Sequence, residues 1–358
     1  MLGGWRKVNR SVLAAIGVPV AITVGSVGTF LLSSPHPSRV TAARHDRAAV
    51  HAAPVSSSAP ASPTPDRDRR RHKAHKRASH HNKTPARGSV TAQAAPCGSV
   101  AGHLFVGVAV PAPLTSSVQS FSAATGAHLA LVELYTGFGS PFPQLEASRV
   151  TALGSTPLIQ WDPDRAPLGN IAAGSYDGYL RQWAAAAKAF GHPMVLSFGH
   201  EMNGPWSRWG SAHATPAQFV AAWRRIYTIF ASQHTGNVTW SWDPSHTGAD
   251  PQPWWPGPGY VNEIGIDGYQ RPGQTFAQIF AQRLALIRSF ARKPIFIAET
   301  SVAPSPGQSS QIIGLFNGVI QYGLSGFVWF DINGLEQWQL AGRPAAISTF
   351  RACVARTQ

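Results

Sequence analysis

The chain has 358 residues, 44% of them hydrophobic, which is enough to bury a large core in one or two domains. Its formal net charge of +14 is unevenly distributed. The first 96 residues hold 15 of the 30 lysines and arginines but only 3 of the 16 acidic residues, so the remainder carries 15 bases against 13 acids. A nucleic-acid-binding protein concentrates its basic residues on the folded part. The near-neutral remainder therefore argues against nucleic acid as a partner.

The first 32 residues form two segments. Residues 1–10 include Arg6, Lys7 and Arg10, and residues 11–32 are 22 residues without a charge. An apolar run of that length can span a bilayer as a retained anchor, and the apolar region of a cleaved signal peptide is the alternative. Either interpretation predicts an extracytoplasmic protein, which is held to the membrane by one N-terminal span or is secreted.

Residues 33–96 are rich in Pro, Ala, Ser, His and Arg and include the run RDRRRHKAHKRASHHNK. Because large apolar residues are almost absent, this segment is predicted to be a disordered linker. Adhesion to an acidic envelope polymer and metal binding by the histidines are alternatives for its function. The folded domain is predicted over residues 97–358.

The cysteines Cys97 and Cys353 lie at the two ends of the predicted domain. The termini of compact domains often lie close together, so we expect a disulfide between them, with two unpaired buried thiols as the alternative. A disulfide would agree with export, since oxidising compartments preserve it.

Eight short apolar runs rich in β-branched and aromatic residues recur within the predicted domain. They begin at His103, His128, Thr156, His192, Asn237, Val261, Lys293 and Ser325. Residues 176–190, 216–233 and 276–291 lie between some of these runs and carry apolar residues at helical spacing. Apolar strands that alternate with helices predict a parallel sheet covered by helices, and eight such units predict a (β/α)8 TIM barrel. An open doubly wound sheet is the alternative, but no Gly-rich phosphate-binding motif follows the first run.

The ends of these runs carry carboxyl and aromatic side chains, at the position where such barrels place their active sites. The strand-end residues are Trp161, Asp162, His200, Glu201, Trp242, Asp243, Asp267, Tyr269, Glu299, Trp329 and Asp331. Two carboxyl groups, those of Glu201 and Glu299, would face each other across the barrel mouth, where they suit cleavage of the bond between two sugar rings. The aromatic residues can stack on the flat faces of the sugars, although Trp161, Trp240, Trp242, Trp254 and Trp255 would suit the core equally well.

No cofactor is predicted. The segment HEMNG lacks the second histidine of the zinc helix motif, and no nearby cluster of Cys or His completes a site, so a metal is not expected either.

Four segments, GHEMNGPW, EIGIDGYQ, KPIFIAETS and GFVWFDIN, resemble glycoside hydrolase family 26, whose members include endo-β-1,4-mannanases. The resemblance covers about residues 103–351. It implies a retaining mechanism in which Glu201 is the general acid and base, Glu299 is the nucleophile and Tyr269 donates a hydrogen bond to Glu299. The segments AETS and NGPWSRW depart from the common family pattern, which concerns the choice of substrate more than the type of reaction.

The predicted substrate-binding residues combine this resemblance with the strand-end positions. His200 would contact the sugar next to the nucleophile, while Trp206 and Trp329 would stack along the cleft. The full predicted set is His200, Asn203, Trp206, Tyr269, Trp329, Trp161 and Asp331.

Two classes of function remain open on the sequence. The first is an exported retaining β-glycanase that acts as a monomer on a polysaccharide. An endo-β-1,4-mannanase is the first choice, with a β-1,3-1,4-glucanase or a β-1,3-xylanase of the same family as alternatives. The second class is a protein that binds a polysaccharide, or helps to assemble an envelope polymer, without useful turnover.

Overall fold

The computed structural model describes residues 96–99, 103–334 and 336–358. The predicted basic segment 1–10, the apolar segment 11–32 and the linker as far as residue 95 lie outside the described residues. Within the described ranges, no helix is both long enough and apolar enough to cross a membrane.

Eight parallel strands form one sheet in the order β6-β5-β4-β3-β2-β1-β8-β7. Their bounds are β1 (Phe105–Ala109), β2 (Leu129–Gly137), β3 (Thr156–Asp162), β4 (Met194–Phe198), β5 (Val238–Trp242), β6 (Glu263–Ile264), β7 (Ile297–Thr300) and β8 (Gly326–Phe330). Each predicted apolar run contains one of these strands. Isolated parallel bridges join Ile264 to Ile295 and Asp267 to Glu299, so the sheet curls until the segments of β6 and β7 meet. This arrangement is consistent with the predicted (β/α)8 TIM barrel.

Helices connect the strands. Their bounds are α1 (Leu114–Thr125), α2 (Gln144–Ala152), α3 (Leu168–Ala173), α4 (Asp177–Phe190), α5 (Pro216–Ser232), α6 (Phe276–Phe290), α7 (Gln308–Gln321) and α8 (Pro344–Thr357). The three helices predicted from apolar spacing are confirmed as α4, α5 and α6. Helix α5 begins with a capping box, in which the Thr215 side chain accepts from the Gln218 backbone and the Gln218 side chain accepts from the Thr215 backbone.

The strands divide the core into an inner and an outer layer, because successive side chains point to opposite faces of the sheet. Apolar side chains from several strands fill the inside of the barrel, namely Leu131, Leu158, Val195, Phe296, Ala298 and Val328. Trp161 of β3 faces outward instead and stacks on Trp183 of α4, with ring centroids 4.2 Å apart. Trp329 of β8 likewise packs against Phe350 of α8 at 5.3 Å. The outward positions of the strands therefore belong to the packing between sheet and helices.

The two ends of the described domain are joined. Cys97 and Cys353 form the predicted disulfide, with Cα atoms 5.2 Å apart, and the Arg356 guanidinium donates a hydrogen bond to the Cys97 carbonyl at 2.6 Å. The disulfide connects residues 256 apart in sequence, so the loss of unfolded-chain entropy corresponds to about 5.5 kcal/mol of stabilisation.

Candidate active site

Glu201 follows β4 in a left-handed turn at the carboxyl end of the barrel. Its φ angle is +52°, which is unusual for a residue with a side chain and occurs where the surrounding structure imposes it. The Glu201 N–H donates to the Asp243 carbonyl at 2.7 Å, and the Glu201 carbonyl accepts from the Gly204 N–H at 2.8 Å. These two bonds fix the backbone from which the carboxyl group projects.

The surroundings of Glu201 bring the pKa of its carboxyl group close to neutral pH. Removal from water raises its pKa to about 7; the charge of His200 opposes this effect, and the charge of Glu299 reinforces it. The indole Nε1–H of Trp206 donates to Glu201 Oε2 at 2.6 Å and lowers the pKa. A carboxyl group with a pKa near the ambient pH can both give and take a proton, as a general acid and base must.

Glu299 of β7 is buried and accepts a phenol hydrogen bond on each carboxylate oxygen. Tyr269 donates to Oε2, as predicted, and Tyr135 of β2 donates to Oε1 at 2.7 Å. Burial raises the pKa of both phenols well above that of an ordinary tyrosine, and nearby carboxylates raise it further, so both keep the protons that they donate. Donors on both sides hold Glu299 in one orientation.

His200 lies between the carboxyl groups of Asp162 and Glu299. Its Nδ1 lies 2.8 Å from Asp162 Oδ1, and its Nε2 lies 3.8 Å from Glu299 Oε1. Burial alone would lower the pKa of His200, but the charges of Asp162 and Glu299 raise it well above the ordinary value. This shift favours the protonated ring, whose positive charge would lie between the carboxyl groups of Asp162 and Glu299.

Asn203 does not line the cleft as predicted. Its side chain is fully buried, and its amide nitrogen donates to the carbonyls of Ser245, Thr247 and Ala249 at 3.1, 2.7 and 3.2 Å. Its amide oxygen accepts from the Ser245 N–H at 2.8 Å. Because backbone groups use both ends of the amide, Asn203 positions the segment after β5 instead of binding substrate.

The prediction that Trp161 and Trp329 bind substrate is also wrong. Both rings are fully buried in the layer between the sheet and the helices, so neither can stack on a sugar. Asp331, the remaining predicted contact, accepts from the Leu340 N–H at 2.8 Å and fixes the segment after β8; burial raises its pKa to about 6. The aromatic residues on the Glu299 side of the cleft are instead Phe330 and Trp338, whose rings lie 5.7 and 5.0 Å from the Tyr269 ring.

Tyr135 and the polar layer beneath it were not predicted from the sequence. Gln160 of β3 donates to Glu133 of β2 at 2.9 Å and to Asp243 at 3.1 Å, all three buried inside the barrel. Glu133 and Tyr135 are two residues apart on one strand and therefore share a face. This spacing of polar residues in an otherwise apolar strand was the available signal.

Side-chain atoms of His200, Asp267 and Glu299 lie within 4.8 Å of one another, a group that could in principle face one metal ion. Two of its members already have partners, because His200 binds Asp162 and the oxygens of Glu299 accept from two phenols. A metal ion would have to displace these hydrogen bonds, so the contacts fit proton chemistry better than metal binding.

Comparison with known proteins finds a family that matches the part of the chain around the site. Glycosyl hydrolase family 26 matches residues 176–307, a span that contains both glutamates, His200 and Tyr269. The predicted resemblance to this family is confirmed. The match is consistent with the predicted class, a glycoside hydrolase.

Two curated relatives have names that refer to different substrates. Endoglucanase H of Acetivibrio thermocellus is 28% identical over 263 residues, which cover 68% of this chain and 29% of the relative. Mannan endo-1,4-beta-mannosidase A and B of Caldalkalibacillus mannanilyticus is 26% identical over 99 residues, covering 26% of this chain and 19% of the relative. The chain thus spans less than a third of either relative.

Solved structures of family 26 share the fold. The catalytic domain of the endo-beta-1,4-mannanase of Bacillus sp. JAMB-750 has a TM-score of 0.58 at 16% identity, covering 71% of this chain and 86% of that one. A modular endo-beta-1,4-mannanase from Cellulomonas fimi also has a TM-score of 0.58 at 16% identity, covering 71% of this chain and 70% of that one.

Proposed function

We propose that the protein is a retaining β-glycanase in which Glu201 is the general acid and base and Glu299 is the nucleophile. The observation that carries this proposal is the contrast between the two carboxyl groups. Glu201 has a pKa raised to about 7 by removal from water, whereas Glu299 accepts hydrogen bonds on both oxygens from two tyrosines. A mechanism with two carboxyl groups needs different surroundings for each, because one group must give a proton and the other must attack as a carboxylate.

In the first step, a Glu299 oxygen attacks the anomeric carbon, and the bond from that carbon to the leaving oxygen breaks. Glu201 gives its proton to the leaving oxygen, so the leaving sugar departs as a neutral alcohol. Glu299 becomes a glycosyl ester. In the second step, Glu201 takes a proton from water, the water oxygen bonds to the anomeric carbon, and the ester bond breaks to restore the Glu299 carboxylate.

Glu201 can act first as an acid and then as a base because the charge of its neighbour Glu299 changes during the reaction. The negative charge of Glu299 is one of the causes that raise the pKa of Glu201. Because ester formation removes that charge, the pKa of Glu201 falls in the intermediate, where Glu201 must act as a base.

For the substrate, we propose a β-1,4-linked mannan cleaved within the chain. The mannanase relative and the family-26 fold support this choice. A β-glucan is the second candidate, because the alignment with endoglucanase H is longer, at 263 residues against 99. A β-1,3-xylan remains an alternative within the family. A monomer suffices in this proposal, since one chain supplies all the residues of the site.

We further propose that the enzyme acts outside the cytoplasm. The uncharged residues 11–32 and the disulfide between Cys97 and Cys353 support export. Fractionation of cells, with mass determination of the mature N-terminus, distinguishes a retained anchor from a cleaved signal.

The function is tested with purified β-1,4-mannan, mixed-linkage β-glucan, cellulose and β-1,3-xylan, by measuring released reducing ends. We expect mannan to be cleaved by the wild type and by Glu146→Ala, a control that removes a carboxylate from helix α2. Glu299→Ala should fail on every substrate. Glu201→Ala should still react with an activated aryl glycoside and stall, and azide should release a glycosyl azide with retained configuration.

Three results would contradict parts of the proposal. Azide rescue of Glu299→Ala in place of Glu201→Ala would reverse the two roles. Full polysaccharide activity in both variants would place the chemistry elsewhere, and binding without turnover by the wild type would favour the non-catalytic alternative. A retaining mechanism also predicts carboxyl groups about 5 to 5.5 Å apart in a crystal structure, against roughly 6.5 to 9.5 Å for inversion.

A further inference from the structure

A cavity lies between the segments that follow β3 and β4, the second of which also carries Glu201. Its volume is ≈ 400 Å³, which lies within the range of roughly 300–1,000 Å³ typical of small-molecule sites. Its polar lining consists of Asp164, Arg165, Asn170, Arg208, His213 and Gln218. Nothing in the proposed two-step reaction uses these side chains.

The walls of this cavity are built on the backbone that carries the catalytic pair. Trp209, next to Arg208, donates its indole N–H to the His200 carbonyl at 2.8 Å. A Cβ added to Gly199 would lie 3.1 Å from the Trp209 ring and 3.4 Å from Pro163, so both walls pack closely against the end of β4. The cavity therefore shares its supporting contacts with the segment that positions His200.

The cavity is lined in part by the segment that carries the assigned acid. Glu201 protonates the leaving oxygen, and the residues from Arg208 to Gln218 continue the segment that begins at Glu201. Glu299 belongs to β7, which is separated from β4 by four strands in one direction and two in the other. A sugar unit in the cavity would thus belong to the part of the chain that departs first.

The charge of the cavity favours a singly charged anion. Arg165 lies 3.7 Å from Asp164, its neighbour in the sequence, while Arg208 makes no hydrogen bond or ion pair with any described residue. Two guanidinium groups against one carboxylate give the lining a net positive charge, and both arginines are exposed, so an incoming ligand can reach them. Guanidinium binds carboxylate in a planar, two-point geometry, and the amides of Asn170 and Gln218 are suited to sugar hydroxyls.

We propose that this cavity binds a carboxylate-bearing sugar, a uronic acid, in the leaving-group portion of the glycan. The proposal rests on the assigned retaining reaction for its orientation and adds to the proposed mannan specificity a preference for chains that carry an acidic sugar on the leaving-group side. Arg208 lies in the segment NGPWSRW, which departs from the common pattern of family 26, so this feature concerns the substrate of this chain in particular.

Binding is tested first, without turnover, by titrating the protein with methyl β-D-glucuronide and methyl β-D-glucoside and following the Trp209 indole N–H by NMR. We expect the glucuronide to bind about fivefold more tightly, because each partly exposed ion pair contributes roughly 0.2–1 kcal/mol. Arg208→Gln should reduce this preference two- to fivefold. Arg292→Gln, which removes an exposed charge before β7 at the opposite end of the barrel, should leave it unchanged.

Kinetics then place the site on the leaving-group side. Mannohexaose is converted to its alditol by reduction and to its aldonate by oxidation, two substrates that differ at the chain end only in the carboxylate. The wild type and Arg292→Gln should prefer the aldonate by about fivefold in kcat/KM, and Arg208→Gln should lose most of that ratio.

Equal binding of glucuronide and glucoside, or a preference that survives in Arg208→Gln, would overturn the proposal. Inorganic phosphate displacing the glucuronide at a lower concentration than glucuronate itself would overturn the carboxylate assignment. If the wild type hydrolyses no glycan, the proposed reaction fails, but the binding experiment still decides whether the cavity selects a uronic acid.

Discussion

The hydrogen bond from Trp206 to Glu201 offers a direct test of the acid and base assignment. Replacement of Trp206 by Phe keeps an aromatic ring but removes the N–H that lies 2.6 Å from Glu201 Oε2. The N–H stabilises the charged carboxylate more than the neutral acid, so its loss raises the pKa of Glu201. The acid form of Glu201 then persists to higher pH, and the alkaline limb of the pH profile moves upward.

The size of this change can be worked from the two protonation states. A hydrogen bond to a charged group contributes roughly 1.5–3 kcal/mol and one to a neutral group about 0.5–1.5 kcal/mol. The difference, about 1–1.5 kcal/mol, corresponds to about 1 pH unit at 1.36 kcal/mol per unit. Starting from a pKa of about 7, the midpoint of the alkaline limb should therefore move to about 8 in Trp206→Phe.

The assay is the pH dependence of kcat/KM on a polysaccharide, whose poor leaving group requires protonation. Trp338→Phe is the matched control, since Trp338 packs against Tyr269 on the other side of the cleft and its alkaline limb should stay near that of the wild type. An unchanged or lower midpoint in Trp206→Phe would refute the assignment of Glu201 as the titrating acid.

Three further predictions concern positioning and stability. Tyr135→Phe removes one donor to the Glu299 carboxylate and should lower kcat/KM at least about tenfold while circular dichroism stays native; unchanged kinetics would contradict a role for Tyr135 in holding the nucleophile. Cys97→Ser should lower the free energy of unfolding by about 5.5 kcal/mol in urea titrations, and reduction of the wild type should reproduce that loss. Asn203→Ala leaves buried backbone groups such as the Ser245 N–H without their partner and should cost about 3 kcal/mol; a loss below about 1 kcal/mol would speak against Asn203 as the support of this segment.

The barrel was predictable because its strands are apolar enough to be recognised singly, and three helices were predictable from strong apolar spacing. Helix α1 was not, because its sequence LTSSVQSFSAAT is rich in Ser and Thr, which favour caps and turns over helix interiors. Its helical structure depends on tertiary packing, in which Val118 and Phe121 are buried. Such packing is invisible in a window of sequence.

The members of the candidate site could be predicted where the residue type itself indicates the chemistry. They could not be predicted where the role of a residue depends on the direction in which its side chain points. Glu201, Glu299, His200, Trp206 and Tyr269 meet in one cluster as the family resemblance implied.

The wrong predictions for Trp161 and Trp329 arose from the orientation of their side chains. Trp161 precedes the inward-facing Asp162 by one residue, and Trp329 precedes Phe330, so both indoles point to the helices. A prediction that assigned alternate residues of each strand to the two faces would have rejected both tryptophans and retained Tyr135, two residues after Glu133.

The backbone at Glu201 could not be predicted, because a φ of +52° normally calls for glycine. Its energetic cost is offset by contacts that exist only in this conformation. The turn brings Gly204 beneath the Trp206 ring, where an added Cβ would lie 2.2 Å from the indole, and the same indole donates to Glu201 Oε2. A side chain at residue 204 would lift the indole away from the carboxyl group. The left-handed turn, the glycine and the tryptophan therefore act together, and the strain at Glu201 is part of what fixes its proton-transfer geometry.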